Sequence, residues 1–470
     1  MVNPSTGEVC AKVANASAQD VQKANSTARS VFDSGVWSGL SLDERQKVLG
    51  QISKTVKLNA KELAELESLS TGKTSKQATF IDVPTCAETF EYFANLSARE
   101  LEDRINPVPA TVNSITVREP VGVVAQIIPW NYPLIMFAWK VAPALLTGNC
   151  VVFKPSPLGC LSILRLAELI AETDLPAGVL NVVATDSNEV SAELVTDPNV
   201  DMISFTGGTQ TGQTIMKAAA DSTKKVSLEL GGKSPNLVFA DCDQEAALGG
   251  TMSAIFMNQG QMCTAGSRLY IEESFYDEFL QKLVAKTKDL KIGPADDYTA
   301  NFGPVISVEH RDRLLAAIEQ AQKDGAKLEC GGKIPEAMDS GAYIEPTILS
   351  NVSQEMAIVQ EELFGPVLAV QKFNSEEEAI ALANDSQYGL AACVWIKDLD
   401  KARRIANHVQ AGTVWVNTYG GFYNEASFGG YKQSGFGREL GVEGLLEYTQ
   451  SKHICIDKTP GGVPLAASWF

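Results

Sequence analysis

The sequence predicts an α/β protein, with a parallel sheet covered by helices on both faces and a second α/β stretch after it. Three observations predict this class. From residue 112 onward, short runs rich in β-branched residues alternate with helix-length segments, the order that builds parallel strands linked by helices. The runs at 121–128 and 150–154 are almost wholly apolar, as strands buried on both faces are. The composition, 45% apolar and 20% charged over 470 residues, is that of a folded chain of about three compact units and excludes a disordered one.

The elements follow in order. Ser17 caps a helix that carries Val21, Ala24, Ala28, Val31 and Phe32 on one face. Ser41 and Glu44 form a capping box ahead of Val48, Leu49, Ile52 and Val56. Gly72 ends the next helix, which carries Leu63, Leu66 and Leu69. Residues 112–118 alternate as an exposed strand does. Strand 121–128 leads to helix 133–147, and strand 150–154 to helix 161–172. Strands 180–183 and 202–206 lead to helix 209–221, and strand 225–230 follows. The second stretch begins at strand 235–239. It continues through strand 270–272, helix 274–289 and strands near 366–373, 391–396 and 413–417. Residues 451–457 alternate again, and the tail 459–470 reads as irregular.

Several classes of function are excluded. Formal charge is 39 − 57 = −18, which repels nucleic-acid backbones and anionic membrane surfaces. The uncharged segment 120–139 is long enough to span a bilayer. However, Pro120, Pro129 and Pro133 interrupt it and Gln126 and Asn131 would sit in hydrocarbon, so it reads as a buried strand–loop–helix. The nine cysteines include no C-x-x-C pair, and His310, His408 and His453 stand far apart. No metal site or disulfide framework is expected, and a reducing, cytoplasmic compartment is. The opening residues lack the basic and apolar regions of a signal peptide.

Four segments carry candidate chemistry. Cys263 lies in Asn258-Gln-Gly-Gln-Met-Cys263, where glycine gives a nucleophile room; a buried, inert thiol is the alternative. Glu229 lies in an apolar strand that ends in Gly-Gly. Burial would raise its pKa toward that of a general base, whereas an edge-strand position would leave it in water. Asn131, between Pro129 and Pro133, is either a rigid amide donor for an oxyanion or ordinary turn chemistry. Phe205-Thr-Gly-Gly-Thr-Gln-Thr-Gly212 follows a strand and opens a helix, a place where backbone N–H groups can meet phosphate, although its spacing matches neither common nucleotide motif.

Taken together with Phe153-Lys-Pro-Ser-Pro157 and Glu361-Glu-Leu-Phe-Gly-Pro366, and in this order along the chain, these motifs resemble those of the aldehyde dehydrogenase superfamily over nearly the whole length. The resemblance implies a Rossmann-type cofactor domain (1–100 and 121–231), an α/β catalytic domain (232–432) and a small β oligomerisation element (101–120 and 446–458). It implies that Cys263 is the nucleophile, that Asn131 holds the oxyanion and that Glu229 activates the deacylating water. It assigns Lys154 to the adenine ribose and Gly207 and Gly208 to the pyrophosphate, with Gly208 where many relatives carry Ser. Glu362 and Phe364 would hold the nicotinamide ribose and ring, with Trp130 and Ile128 as the wall beside them. Relatives carry a strand pair before the motif that is here Asn3-Pro-Ser-Thr-Gly7; a missing outer hairpin or a shortened start would account for its absence.

The cofactor expected is NAD, with NADP possible. The position that discriminates between them in the family is Pro157, neither a repelling carboxylate nor an attracting arginine. The expected partner is a small aldehyde, in a homodimer or homotetramer. Tyr132, Trp139 and Phe428 resemble the aromatic wall of the betaine aldehyde and aminoaldehyde branch, and Asp82 an acidic position of that branch whose companion is Thr85 here. The same rings occur in members that oxidise neutral aldehydes, so a general aliphatic or aromatic aldehyde dehydrogenase is the alternative. A CoA-acylating enzyme and a non-catalytic structural relative are two further ones, against which Glu229 and the intact set of site residues argue.

Overall fold

The computed structural model describes residues 1–458; the tail expected to be irregular lies outside them. Three larger sheets, with a small antiparallel pairing of Tyr388–Gly389 and Tyr431–Lys432, organise the described residues. The first has six strands in the order Gly435–Phe436, Lys225–Glu229, Met202–Thr206, Val123–Ile127, Cys150–Lys154, Leu180–Val182. All its pairings are parallel except the first. Strands Val123–Ile127, Cys150–Lys154 and Met202–Thr206 are buried along their whole length, which is why their sequences are mostly apolar, with Gln126, Lys154, Ser204 and Thr206 as the exceptions.

The second sheet has seven strands, in the order Lys327–Cys330, Thr347–Ser350, Val367–Phe373, Arg268–Glu272, Pro235–Val238, Ala391–Trp395, Thr413–Val416. Only Lys327–Cys330 runs antiparallel to its neighbour. The third is a small antiparallel sheet of Arg104–Ile105, Val112–Pro120 and Thr449–Asp457. The two alternating segments therefore pair with each other, nine residues against nine.

Helix ends follow the sequence signals. Ser17 and Ser41 both form complete capping boxes, with Asp20 and Glu44 as the reciprocal partners. Gly72 caps its helix at φ 78°, in the left-handed region open to glycine. Two features carry no such signal. Ala78–Asp82 is a π-helical turn leading into helix Val83–Ala94. After the second sheet the chain returns to the first, where Gly435 and Phe436 pair with Glu229 and Leu228. That return fixes the end of the strand carrying Glu229.

Candidate active site

In the first sheet the chain runs outward from Val123–Ile127 through Cys150–Lys154 to Leu180–Val182. It then crosses back to place Met202–Thr206 on the other side. The crevice outside the strand ends at such a reversal is the binding place of open α/β sheets. A cleft of about 570 Å³ lies there, lined by Ile128, Lys154, Ser156, Pro157, Gly207 and Gly208 among others.

Its donors suit a dinucleotide. Helix Thr209–Ala220 starts at Gly208 with no side chain capping its first N–H groups, leaving them for an anion. Thr206 Oγ1, which lines the cleft, is buried without a partner among the described residues. Lys154 is 8% exposed, and burial lowers its ammonium below the ordinary lysine value, so an oxygen ligand would relieve it. Gly207 departs from its expected role. Its N–H already donates to the Glu229 carbonyl at 3.0 Å, so it contributes shape rather than a phosphate donor; a Cβ there would strike the Phe205 ring. Gly208 has open space where a Cβ would go.

Trp130, Glu362 and Phe364 lie on the side toward Cys263. The Trp130 and Phe364 rings meet edge-to-face at 5.3 Å. Glu362 accepts the Gly232 N–H at 2.9 Å, and its carboxyl is pushed up to about 7, chiefly by burial. Gly231 and Gly232 are required here: a Cβ on the first would overlap the Glu362 carboxylate and one on the second the Cys263 carbonyl.

Cys263 is half-buried at the end of a tight loop. Asn258, Gln259 and Gly260 take φ of 48°, 56° and 70°. For the two non-glycines this conformation costs about 1–3 kcal/mol each. The loop is held by amides. Asn131 Nδ2 donates to the Gln261 carbonyl at 2.9 Å, Asn258 Nδ2 donates to the Asn131 carbonyl at 3.1 Å, and Gln261 Oε1 accepts the Ile306 N–H at 2.8 Å. Asn131 is thus tied to the cysteine loop and keeps a second amide hydrogen. Burial, then the Glu362 and Glu229 carboxylates, push the Cys263 thiol up to about 12.

Glu229 is 4% exposed, and neither carboxylate oxygen has a partner among the described residues. Burial and then Glu439 hold its carboxyl well above the usual carboxylate range, with Lys140 and Arg438 opposing. It is therefore buried, not in water at a strand edge. Tyr132, Trp139 and Phe428 come together in one apolar cluster that also contains Cys263. Trp139 lies 5.5 Å from Phe428, and Phe422 meets both rings at 5.7 and 5.4 Å.

A base-like buried carboxylate, a thiol and an amide donor beside a dinucleotide-shaped cleft are the parts of a cysteine-dependent oxidation of a carbonyl compound. The model of the Aldehyde dehydrogenase family matches residues 1–454. The chain belongs to the aldehyde dehydrogenase family. Betaine aldehyde dehydrogenase of Bacillus subtilis (strain 168) is 46% identical over 473 residues, covering 100% of this chain and 95% of that protein. Retinal dehydrogenase 2 of Homo sapiens is 42% identical over 456 residues, covering 97% and 88%. Betaine aldehyde dehydrogenase from Staphylococcus aureus, solved in complex with NAD+, superposes with a TM-score of 0.96 at 42% identity, covering 100% of this chain and 92% of that one.

Several residues of this aldehyde dehydrogenase site are not singled out by the sequence. Lys140 pairs with Glu439 behind Glu229 and donates to Ser204 at 3.0 Å. Its one signal is a single charge in the otherwise apolar helix Pro133–Leu146. Phe422 gives no signal. Asp82 is wholly buried and bonded to Lys73, which also pairs with Glu67 at 3.6 Å and stands 4.2 Å over the Tyr132 ring. The acidic position that the resemblance aligned with a substrate contact is thus already partnered by a lysine. Among the described residues no helix is long and apolar enough to cross a membrane.

Proposed function

We propose that this aldehyde dehydrogenase oxidises a small cationic aldehyde, quaternary ammonium or ω-amino, to its carboxylic acid. The observation that carries the reading is the ring cluster of Trp139, Phe422 and Phe428 packed in one compartment with Cys263. Aromatic faces attract a desolvated cation by about 0.5–2 kcal/mol each. The similarity to betaine aldehyde dehydrogenases of two organisms supports it. A neutral aldehyde is the competing reading, because the Lys73 ammonium already occupies one face of Tyr132.

In this mechanism Cys263 Sγ bonds to the aldehyde carbon as its S–H proton passes to solvent and the carbonyl π pair moves onto oxygen. The Asn131 side-chain N–H and the Cys263 backbone N–H hold the resulting oxyanion. Lys154 and the first turn after Gly208 would hold NAD, Glu362 its nicotinamide ribose and Phe364 the ring, with Trp130, Ile128 and Pro157 as walls; NADP is the weaker alternative. When bound, the nicotinamide supplies the hydride acceptor. Glu229 then takes a proton from the water that attacks the thioester carbon, and the carbon–sulfur bond breaks to release the acid. The presence of this carboxylate favours water over CoA as acyl acceptor.

The same reading gives 1–100 and 121–231 to cofactor binding, 232–432 to catalysis, and 101–120 with 446–458 to subunit assembly. The outer edge of residues 449–456, which pairs with no further strand among the described residues, and the exposed Ile105 and Ile456 support a dimer or a dimer of dimers. Nine free thiols support a reducing, cytoplasmic location.

The test compares kcat/KM for betaine aldehyde with that for 3,3-dimethylbutanal, its neutral isostere. A preference for the cation of about tenfold or more, ~1.4 kcal/mol in the transition state, is expected. Equal rates or a neutral preference would refute the cationic reading and leave a general aldehyde dehydrogenase.

A further inference from the structure

His310 is 5% exposed and both of its ring nitrogens are engaged. Nε2 lies 2.7 Å from the Phe364 carbonyl oxygen, and Arg313 Nη2 lies 3.0 Å from Nδ1. A guanidinium only donates. Nδ1 therefore accepts, the ring proton sits on Nε2, and Nε2–H donates to Phe364. The backbone of His310 is fixed as well: it stands in the first turn of helix Val308–Lys323, where its N–H donates to the cap Ser307 at 3.2 Å.

The same imidazole packs on Trp130, centroids 6.0 Å apart, and Trp130 meets the Phe364 ring. His310 thus grips Phe364 directly through its carbonyl and indirectly through its ring. Phe364 needs such a grip. Its φ is 59°, in the left-handed region that a side chain disfavours, and the nearest other side-chain anchor is the bond from Gly232 N–H to Glu362.

We propose that His310 is a positioning residue that sets Phe364 against the nicotinamide ring, with Arg313 holding the imidazole in its donor tautomer. This rests on the reading of Phe364 as the ring contact. Neutral imidazole is the form that satisfies both neighbours, and burial keeps it neutral by lowering its pKa to about 4.

The experiment measures dissociation constants of NAD+ and of ADP-ribose, which lacks the nicotinamide, for wild type, His310→Leu, His310→Gln and Phe364→Ala. Loss of one positioning hydrogen bond predicts that His310→Leu weakens NAD+ by about threefold to tenfold. ADP-ribose should stay within about twofold, and His310→Gln, which keeps an N–H donor, should recover most of the loss. If Phe364→Ala weakens NAD+ selectively but His310→Leu weakens both ligands equally, or neither, the inference is overturned. If Phe364→Ala leaves the NAD+ to ADP-ribose ratio unchanged, the reading of Phe364 beneath it fails instead. Should His310→Leu not fold, ¹⁵N NMR of the wild-type imidazole decides: protonated Nε2 with bare Nδ1 is expected between about pH 6 and 9, and a proton on Nδ1 overturns the proposal.

Discussion

Replacing Glu229 by Gln separates the chemistry from the cost of placing a carboxylate in this site. The carboxyl is buried with both oxygens unpartnered among the described residues, and burial and Glu439 raise its pKa well above the carboxylate range. In the proposed role of general base it would contribute about 10²–10⁴-fold, or ~3–5 kcal/mol of barrier, and only in the step that removes the acyl group. The variant should keep a first-turnover burst of NADH while its steady rate falls by about that factor. Stability should move the other way. With the folded pKa raised, the folded state keeps a proton that the unfolded chain has released, so the wild type loses stability as pH rises from 4.5 toward the folded value. Gln does not titrate, so Glu229→Gln should gain on the wild type by up to ~1.4 kcal/mol per pH unit across that window. Rapid-mixing kinetics and denaturant melts at several pH values read the two effects. Loss of the burst together with turnover would refute the deacylation role, and a stability difference flat with pH would refute the buried-carboxylate argument.

Three further outcomes are expected. Alkylation of Cys263 by iodoacetamide, followed by mass spectrometry, should speed up about tenfold per pH unit well into the alkaline range, because a thiol pushed up to about 12 is protonated at neutrality; a plateau near pH 8 would contradict the shift. Glu439→Gln removes an anion from beside Glu229 and leaves Lys140 uncompensated, so Glu229 should ionise more easily and the acidic limb of the kcat–pH profile should move to lower pH. Trp139→Ala should lower kcat/KM for betaine aldehyde about two- to thirtyfold more than for its neutral isostere, and equal losses would mean that the ring supplies only apolar contact.

What is legible in the sequence divides along physical lines. The three central parallel strands of the first sheet are buried on both faces, so their runs stand out, and Ser17, Ser41 and Gly72 act through local backbone geometry that needs no tertiary context. The helix Gln244–Phe256 is hidden because it is largely apolar and carries Gly249 and Gly250. Gly250 is there for packing, since a Cβ would strike the Trp395 ring. Cys263, Glu229 and Asn131 each sit in a short motif with its own glycines or prolines, and such motifs are visible in the linear chain. Lys140 and Glu439 cannot be paired that way, being 299 residues apart and joined only by the return of the chain to the first sheet. His310 shows in the sequence only as a poor metal ligand, because its partner Phe364 is supplied by a distant segment.

The most direct test of the account traps the acyl group. Glu229→Gln, mixed with NAD+ and excess betaine aldehyde and quenched in acid within the burst, is digested and mapped by mass spectrometry. The account predicts one acyl adduct, carried by Cys263. An acyl group on any of the other eight cysteines, or a full NADH burst with no protein-bound acyl group, would contradict it.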